Sequence, residues 1–124
     1  MKIFKNAWFG RFARKEKIST AALLDAVLRA ENGQIDADLG GGVIKQRIAR
    51  PGEGKSKGYR SIVLFRKGDR CFFVYGFPKS DLGNIGSDEE VLFKKMAKQV
   101  LALTDAQLGV LIASGQFEEV VQDD

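Results

Sequence analysis

The chain has no histidine, a single cysteine and only two prolines among its 124 residues. Because histidine is the commonest general acid and base in enzymes, any proton transfer here must use lysine, arginine, tyrosine or a carboxylate. The lone Cys71 can form neither an internal disulfide nor a cysteine metal cluster, and we expect it to be a small buried hydrophobic residue. These absences predict a protein without a metal site or a cofactor.

Long apolar runs are also missing. Lys5, Arg11 and Arg14 interrupt the amino-terminal segment, which therefore lacks the apolar core of a signal peptide. The longest uncharged run, residues 106–117, is too short to span a bilayer. With 44% hydrophobic and 29% charged residues, the composition is typical of a globular protein. We therefore expect one soluble, cytoplasmic domain that comprises residues 1–124.

Acidic residues are scarce in the middle of the chain. Between Lys45 and Lys79 the only carboxylates are Glu53 and Asp69, against ten lysines and arginines, so this segment has a net charge of +8. Residues 80–124 have a net charge of −6. A basic segment interleaved with strand-forming aromatic residues is typical of a surface that binds a phosphate-rich partner. The ten cations are Lys45, Arg47, Arg50, Lys55, Lys57, Arg60, Arg66, Lys67, Arg70 and Lys79.

Hydrophobic periodicity predicts an α+β fold in the order β-α-α-β-β-β-α-α, with a possible final strand. We expect a small antiparallel sheet with the helices packed on one side. The glycines at 40–42 are expected to form a flexible break, and residues 51–58 a loop. The main predicted strands are 43–50, 59–66 and 70–77, and the final one is 117–121. The main helices are predicted to begin at Ser19 or Thr20, at Ser87 and at Thr104.

Aromatic residues near the amino terminus follow a helical spacing. Trp8, Phe9 and Phe12 recur as on one face of a helix, with Arg11, Arg14 and Lys15 between or after them. A stripe of this kind usually packs on a core, and we expect that role rather than a platform on which nucleobases stack.

Side chains alternate between the two faces of a strand, which predicts where the central cations point. Arg60 and Arg66 share one face, and Tyr59 lies on the other. On the next strand the same rule places Tyr75 with Cys71, Phe73 and Phe77. A positively charged open face of this sheet would bind the phosphate backbone of RNA. We expect that face to carry Lys45, Arg47, Arg60 and Arg66, with Lys55 and Lys57 at its rim.

Cleavage of RNA by its own ribose 2′-hydroxyl needs a base, charge stabilisation on the phosphorane and an acid for the departing 5′-oxygen. A lysine crowded by other cations has a lowered pKa and can act as the base. Arg60 can bind two phosphoryl oxygens at once. Tyr59, Tyr75, Arg66 or Lys79 could supply the last proton.

Three segments of the chain resemble the RelE/HigB toxins of bacterial type II toxin–antitoxin modules. They are residues 35–45 with the glycine run, residues 54–60 with Gly-Lys-Ser-Lys-Gly-Tyr-Arg, and residues 72–80 with Phe-Phe-Val-Tyr-Gly-Phe-Pro-Lys-Ser. The resemblance covers roughly residues 1–105. It implies a microbial-ribonuclease-like fold and an mRNA interferase that cuts messenger RNA in the ribosomal decoding site. It also implies a cognate antitoxin, which we expect to be of the helix-turn-helix type.

The resemblance also implies roles for individual residues. Lys55 and Arg60 match the loop lysine and strand arginine of the family, and Lys79 matches the basic residue after the last central strand. Lys57 falls where relatives commonly have a small residue, and Leu82 replaces a second basic residue. We therefore predict a catalytic set and an RNA-binding set. The catalytic set is Lys55, Lys57, Arg60, Tyr75 and Lys79, and the RNA-binding set is Lys45, Arg47, Tyr59 and Arg66.

The sequence leaves two other functions open. A relative that poisons DNA gyrase, like the ParE branch of the superfamily, would provoke a DNA-damage response and leave messenger RNA intact. A relative that has lost catalysis would bind RNA with a salt-dependent affinity and cut nothing.

Overall fold

A computed structural model describes residues 1–50, 54–78 and 85–121, with the backbone alone for 54–57. Within these ranges no single helix is long and apolar enough to cross a membrane, although the helices Ser87–Val100 and Asp105–Ala113 would pass together as a pair bent by 113°. The strands are β1 (Lys2–Asn6), β2 (Ala37–Gly40), β3 (Val43–Arg50), β4 (Gly54–Arg66), β5 (Arg70–Pro78) and β6 (Phe117–Glu119). The helices are α1 (Ala7–Glu16), α2 (Thr20–Glu31), α3 (Ser87–Val100) and α4 (Asp105–Ala113).

The strands form one open sheet in the order β2-β3-β4-β5-β1-β6. All neighbouring pairs are antiparallel except β1 and β5, which are parallel. The long strand β4 lies between β3 and β5 and pairs with both over most of its length. The α+β fold class that the sequence predicts is confirmed.

The helices lie on both faces of the sheet, so the prediction that they pack on one side is wrong. Helices α1 and α2 cover the face that includes Val63 and Phe73. Helices α3 and α4 cover the face that includes Ile62 and Leu64. Consecutive residues of β4 such as Ile62 and Val63 are both buried, at 0% and 2% exposure. The near-continuous apolar runs of β4 and β5 are typical of strands buried on both sides, and they were the signal for this arrangement.

Short-range polar contacts set most element boundaries where the sequence predicts them. Ser19 Oγ accepts a hydrogen bond from the N–H of Ala22 and caps α2. Thr104 and Gln107 form the reciprocal capping box of α4. The cap of α3 is Gly86 rather than Ser87, and the Glu89 carboxylate accepts from its N–H.

Two loop predictions in the middle of the chain are wrong. The glycines at 40–42, all at positive φ, turn the chain from β2 directly into β3 instead of forming a flexible break. Only glycine adopts these angles readily, so a tight hairpin fits this run better than a linker. Strand β4 begins at Gly54, inside the predicted loop 51–58, and it pairs there with Arg50 after a shift in register.

Helix α1 packs closely on β5 because Gly76 has no side chain. A methyl group at Gly76 would lie 2.8 Å from Cε2 of Phe12 and 3.1 Å from Cε2 of Phe9. We expect Gly76→Ala to lower the free energy of unfolding by about 1–3 kcal/mol, because the two rings must move. Chemical denaturation followed by circular dichroism measures the change.

Gly109 in α4 provides the matched control for this substitution. No atom lies within 4 Å of a methyl group placed there. Gly109→Ala should raise stability by roughly 0.5–1 kcal/mol through helix propensity alone. Equal effects of the two substitutions would contradict the close packing of α1 on β5.

Candidate nucleic-acid interface

Three cations gather on one end of the sheet, on the face that α3 partly covers. Arg47 of β3 lies directly opposite Arg60 of β4, and Lys45 lies opposite Ile62. Ile62 belongs to the core beneath α3, so alternation places all three cations on that face. We call Lys45, Arg47 and Arg60 the cationic patch. The structure therefore brings together three of the residues that the sequence predicts for the site.

The guanidinium groups of the patch have few internal partners. Among the residues that the structure describes, the side chain of the half-buried Arg60 makes neither a hydrogen bond nor an ion pair. The ion pair between Nε of Arg47 and Asp36 is long, at 3.9 Å. That Nε atom is buried, and it has no hydrogen-bond partner within the described ranges. These donors can bind an anion without first breaking a strong internal contact.

A β-bulge in β5 decides where Tyr75 points. Ile62 pairs with Tyr75 and Val63 pairs with Phe73, so Val74 is the extra residue. Asn6 Nδ2 donates a hydrogen bond of 3.1 Å to the carbonyl of Val74, and the same side chain caps α1. Beyond the bulge the alternation of side chains is reversed.

The reversal corrects the prediction that Tyr75 shares a face with Cys71 and Phe73. Those two residues belong to the core under α1 and α2. Tyr75 instead packs with the core under α3 and α4, which is the face of the cationic patch. Strict alternation gave the wrong side because a bulge inserts one residue that the sequence does not mark.

Aromatic rings surround the half-buried Tyr75 next to the patch. Its ring centroid lies 4.7 Å from Trp8, 6.0 Å from Phe77 and 5.9 Å from Phe93. Phe77 is the residue opposite Arg60 in the sheet. Tyr75 therefore joins the cationic patch to the exposed side of α1.

Lys45 is a buried lysine within the cationic patch. Only 8% of its surface is exposed. Burial lowers its pKa below the ordinary 10.5, and the nearby Arg60 lowers the pKa further, whereas Glu90 acts in the opposite direction. A lysine with a lowered pKa has a larger neutral fraction near pH 7, and only the neutral amine can accept a proton.

Three predicted catalytic residues cannot be placed in this geometry. The side chains of Lys55 and Lys57 and all of Lys79 lie outside the described residues, and so does Leu82. The backbone of Lys55 and Lys57 belongs to β4, the strand that carries Arg60. Their roles stay predictions.

Two predicted RNA-binding residues lie away from the patch. Tyr59 is buried on the opposite face, and its hydroxyl contacts Arg50 and the carbonyl of Glu16. Arg66 lies about 20 Å from Arg60 along β4, because a strand rises about 3.3 Å per residue. It binds Asp69 and the carbonyl of Leu101. It also lines a separate cavity of about 490 Å³, together with Lys94 and Lys98.

Sequence reasoning missed the contribution of α1 to this surface. Trp8 is 38% exposed and touches Tyr75, whereas Phe9 is fully buried. Arg11 and Lys15 are exposed beside Trp8. Their spacing from Trp8 puts the three residues on one side of the helix, and that pattern was the available signal. The prediction of core packing holds for Phe9 and only in part for Trp8.

The thiol of Cys71 is fully buried, as the sequence predicts. Burial raises its pKa to about 12, so it stays protonated and unreactive at neutral pH. In the part of the chain that the structure describes, no three cysteines or carboxylates cluster as metal ligands would.

The lowered pKa of Lys45 predicts a pH dependence of stability that replacement of this residue removes. Lys45→Met keeps the length of the side chain and removes the titrating group. The unfolded chain binds more protons than the folded one between the lowered pKa and 10.5. The contribution of Lys45 to stability therefore improves as pH rises through that window.

Urea denaturation of both proteins between pH 7 and pH 10 measures this effect. The stability of Lys45→Met relative to the wild type should fall as pH rises, because the wild-type lysine loses its proton. Lys67→Met at the exposed hairpin turn is the control and should show no such trend. A stability difference between the two proteins that stays constant from pH 7 to pH 10 would contradict the lowered pKa.

A family model described as the RelE toxin of the RelE / RelB toxin–antitoxin system matches residues 1–120. A search of curated proteins gives no significant match. The match extends over the whole sheet and includes α1, the cationic patch and α3. It confirms the resemblance that the three sequence segments carry, and it implies a cognate RelB-type antitoxin as a partner. The chain thus belongs to the RelE toxin family of toxin–antitoxin systems.

Proposed function

We propose that this toxin is an mRNA endoribonuclease that acts in the decoding site of the ribosome, and so in the cytoplasm. The ribose 2′-oxygen attacks the adjacent phosphorus, and the bond from phosphorus to the 5′-oxygen breaks. The products are a 2′,3′-cyclic phosphate and a free 5′-hydroxyl. The reaction needs neither a metal nor a cofactor.

The observation that carries this proposal is the pairing of Arg60 with Arg47 across the sheet. Two like charges directly opposite each other destabilise a sheet, and neither guanidinium has a strong partner among the described residues. An entering phosphodiester, with its single negative charge, reduces the repulsion between them. Arg60 binds two non-bridging oxygens of the phosphate, where negative charge grows in the transition state.

The proton transfers use residues around Arg60. A lysine takes the proton of the 2′-hydroxyl, and Lys45, with its lowered pKa, is the described residue that meets this requirement. The family resemblance adds Lys55 and Lys57 as candidates for the same step. Tyr75 or Lys79 gives a proton to the departing 5′-oxygen. Each such group typically contributes about 10²–10⁴-fold to the rate.

The ribosome supplies what a site without histidine lacks. Lysine and tyrosine have pKa values far from neutrality, so they transfer protons less readily at pH 7. Holding the 2′-hydroxyl in line with the scissile bond can recover several kcal/mol of the barrier. Delivery of messenger RNA in a strained, ordered conformation therefore compensates for the weak acid and base.

The antitoxin is expected to oppose the positive charge of the toxin. An acidic and apolar segment of a helix-turn-helix antitoxin could cover the cationic patch directly, or it could displace a helix beside it. Both routes would keep messenger RNA away from Arg60.

Arg60→Ala tests the proposal. It should reduce ribosome-dependent cleavage by about 10²–10³-fold, because it removes a donor that acts on developing charge. Arg60→Lys should restore only part of the rate, since an ammonium group cannot bind two oxygens in the same planar geometry. Cleavage sites are mapped on messenger RNA in a purified translation system, with ribosomes and without them.

Lys67→Ala serves as the control, because it removes an exposed cation from the hairpin turn at the other end of β4. It should leave cleavage unchanged. Full activity of Arg60→Ala would overturn the role of Arg60. Growth arrest with intact messenger RNA and a DNA-damage response would favour a gyrase inhibitor instead.

A further inference from the structure

The exposed side of α1 presents an aromatic residue that its neighbours hold in place. Trp8 is 38% exposed, yet its ring lies 5.4 Å from Phe12 with an interplanar angle of 15°, and 4.7 Å from Tyr75. An indole fixed in this way loses little side-chain entropy when a ligand packs against it.

A cavity with positively charged walls opens beside this ring. It has a volume of about 230 Å³, and its lining residues are Trp8, Arg11, Phe12 and Lys15. Arg11 and Lys15 are exposed, and neither makes a hydrogen bond or an ion pair with another described residue. Two flat rings beside two exposed cations match a nucleotide, which has a flat base and an anionic phosphate.

A chain of contacts leads from the cavity towards the proposed cleavage site. Tyr75 touches Trp8 on one side, and in the sheet it lies opposite Ile62, two residues from Arg60. The bulge at Val74 creates this link, because it turns Tyr75 to the face of the cationic patch. The subsite proposed below requires the RNA to run from a phosphate at Arg60 past Tyr75 to Trp8.

We propose that the cavity beside Trp8 is a subsite for one unpaired nucleobase of the RNA. The base packs against the exposed part of the indole, and Arg11 and Lys15 bind the adjoining phosphate. This subsite rests on the proposed function, because it extends the path of the same RNA. Aromatic contact of this kind tolerates every base but requires a single strand, since duplex bases are already stacked.

The fluorescence of Trp8 reports directly on this contact, because it is the only tryptophan in the chain. The probe is a short single-stranded RNA with 2′-O-methyl groups, which cannot be cut by 2′-hydroxyl attack. Anisotropy of a label on the RNA measures binding, and indole emission measures contact with the base. We expect the single strand to quench Trp8 in proportion to binding, and a duplex of the same length to leave the emission unchanged.

Substitutions distinguish the contribution of the Trp8 ring to RNA binding from that of the two cations. Trp8→Leu should weaken binding roughly 5- to 150-fold, the range for removal of one stacked base. Trp8→Phe keeps a ring at the position and should retain most of the affinity, which shows that the weaker binding of Trp8→Leu is not a defect of folding. Arg11→Gln with Lys15→Gln should lower the slope of log Kd against log salt concentration by about 0.7 for each phosphate that the protein no longer neutralises. The control Lys67→Gln should change none of these values.

Several results would overturn the subsite. They are the absence of RNA binding, binding without any change in indole emission, equal quenching by the duplex, and unchanged affinity of Trp8→Leu. A response of Trp8 to the antitoxin alone would assign this surface to a protein contact. The proposed nuclease is judged separately by Arg60→Ala in the ribosomal assay, so either proposal can fail while the other stands.

Discussion

The burial of β4 on both faces is the constraint on which this molecule depends. Ile62 and Val63 point in opposite directions, and both must be kept from water, so helices are needed on the two sides of the sheet. Arg47 and Arg60 lie half-buried and directly opposite each other on the α3 side. Like charges in this position destabilise a sheet. A local conflict kept inside an otherwise consistent fold is typical of a functional site.

Much of the fold could be predicted from local sequence signals. The alternation and β-branching of β3, β4 and β5 identified the central strands, and Ser19 and Thr104 identified helix starts, because these signals act over a few residues. The position of the helices could not be read in the same way, because it depends on which apolar runs are covered from both sides. The bulge at Val74 was also hidden, since its stabilising contact comes from Asn6, far away in the chain.

The candidate site was predicted less completely than the fold, because composition does not say what each cation binds. Arg70 belongs to the basic segment, but it is buried and is held by Asp105 and the carbonyl of Leu103. Arg66 likewise binds the end of α3 through the carbonyl of Leu101. Lys45, Arg47 and Arg60 come together because of the register between β3 and β4. That register depends on how two strands pair, so it cannot be predicted from either strand alone. The exposure of Trp8 could not be predicted either, because the sequence pattern of an aromatic stripe is the same whether or not one edge of the stripe is exposed.

Two causes lower the pKa of Lys45, and their relative size matters for a general base that lies beside a phosphate. Repulsion from Arg60 lowers the pKa only while the guanidinium charge is uncompensated, and an arriving phosphodiester compensates it. The negative phosphate itself also raises the pKa of a nearby amine. Burial, however, is the larger cause at Lys45, and in the proposed complex RNA would displace the remaining water and increase this burial. A pKa that is lowered mainly by burial is therefore less sensitive to the arriving phosphate than a pKa that is lowered by cationic neighbours alone.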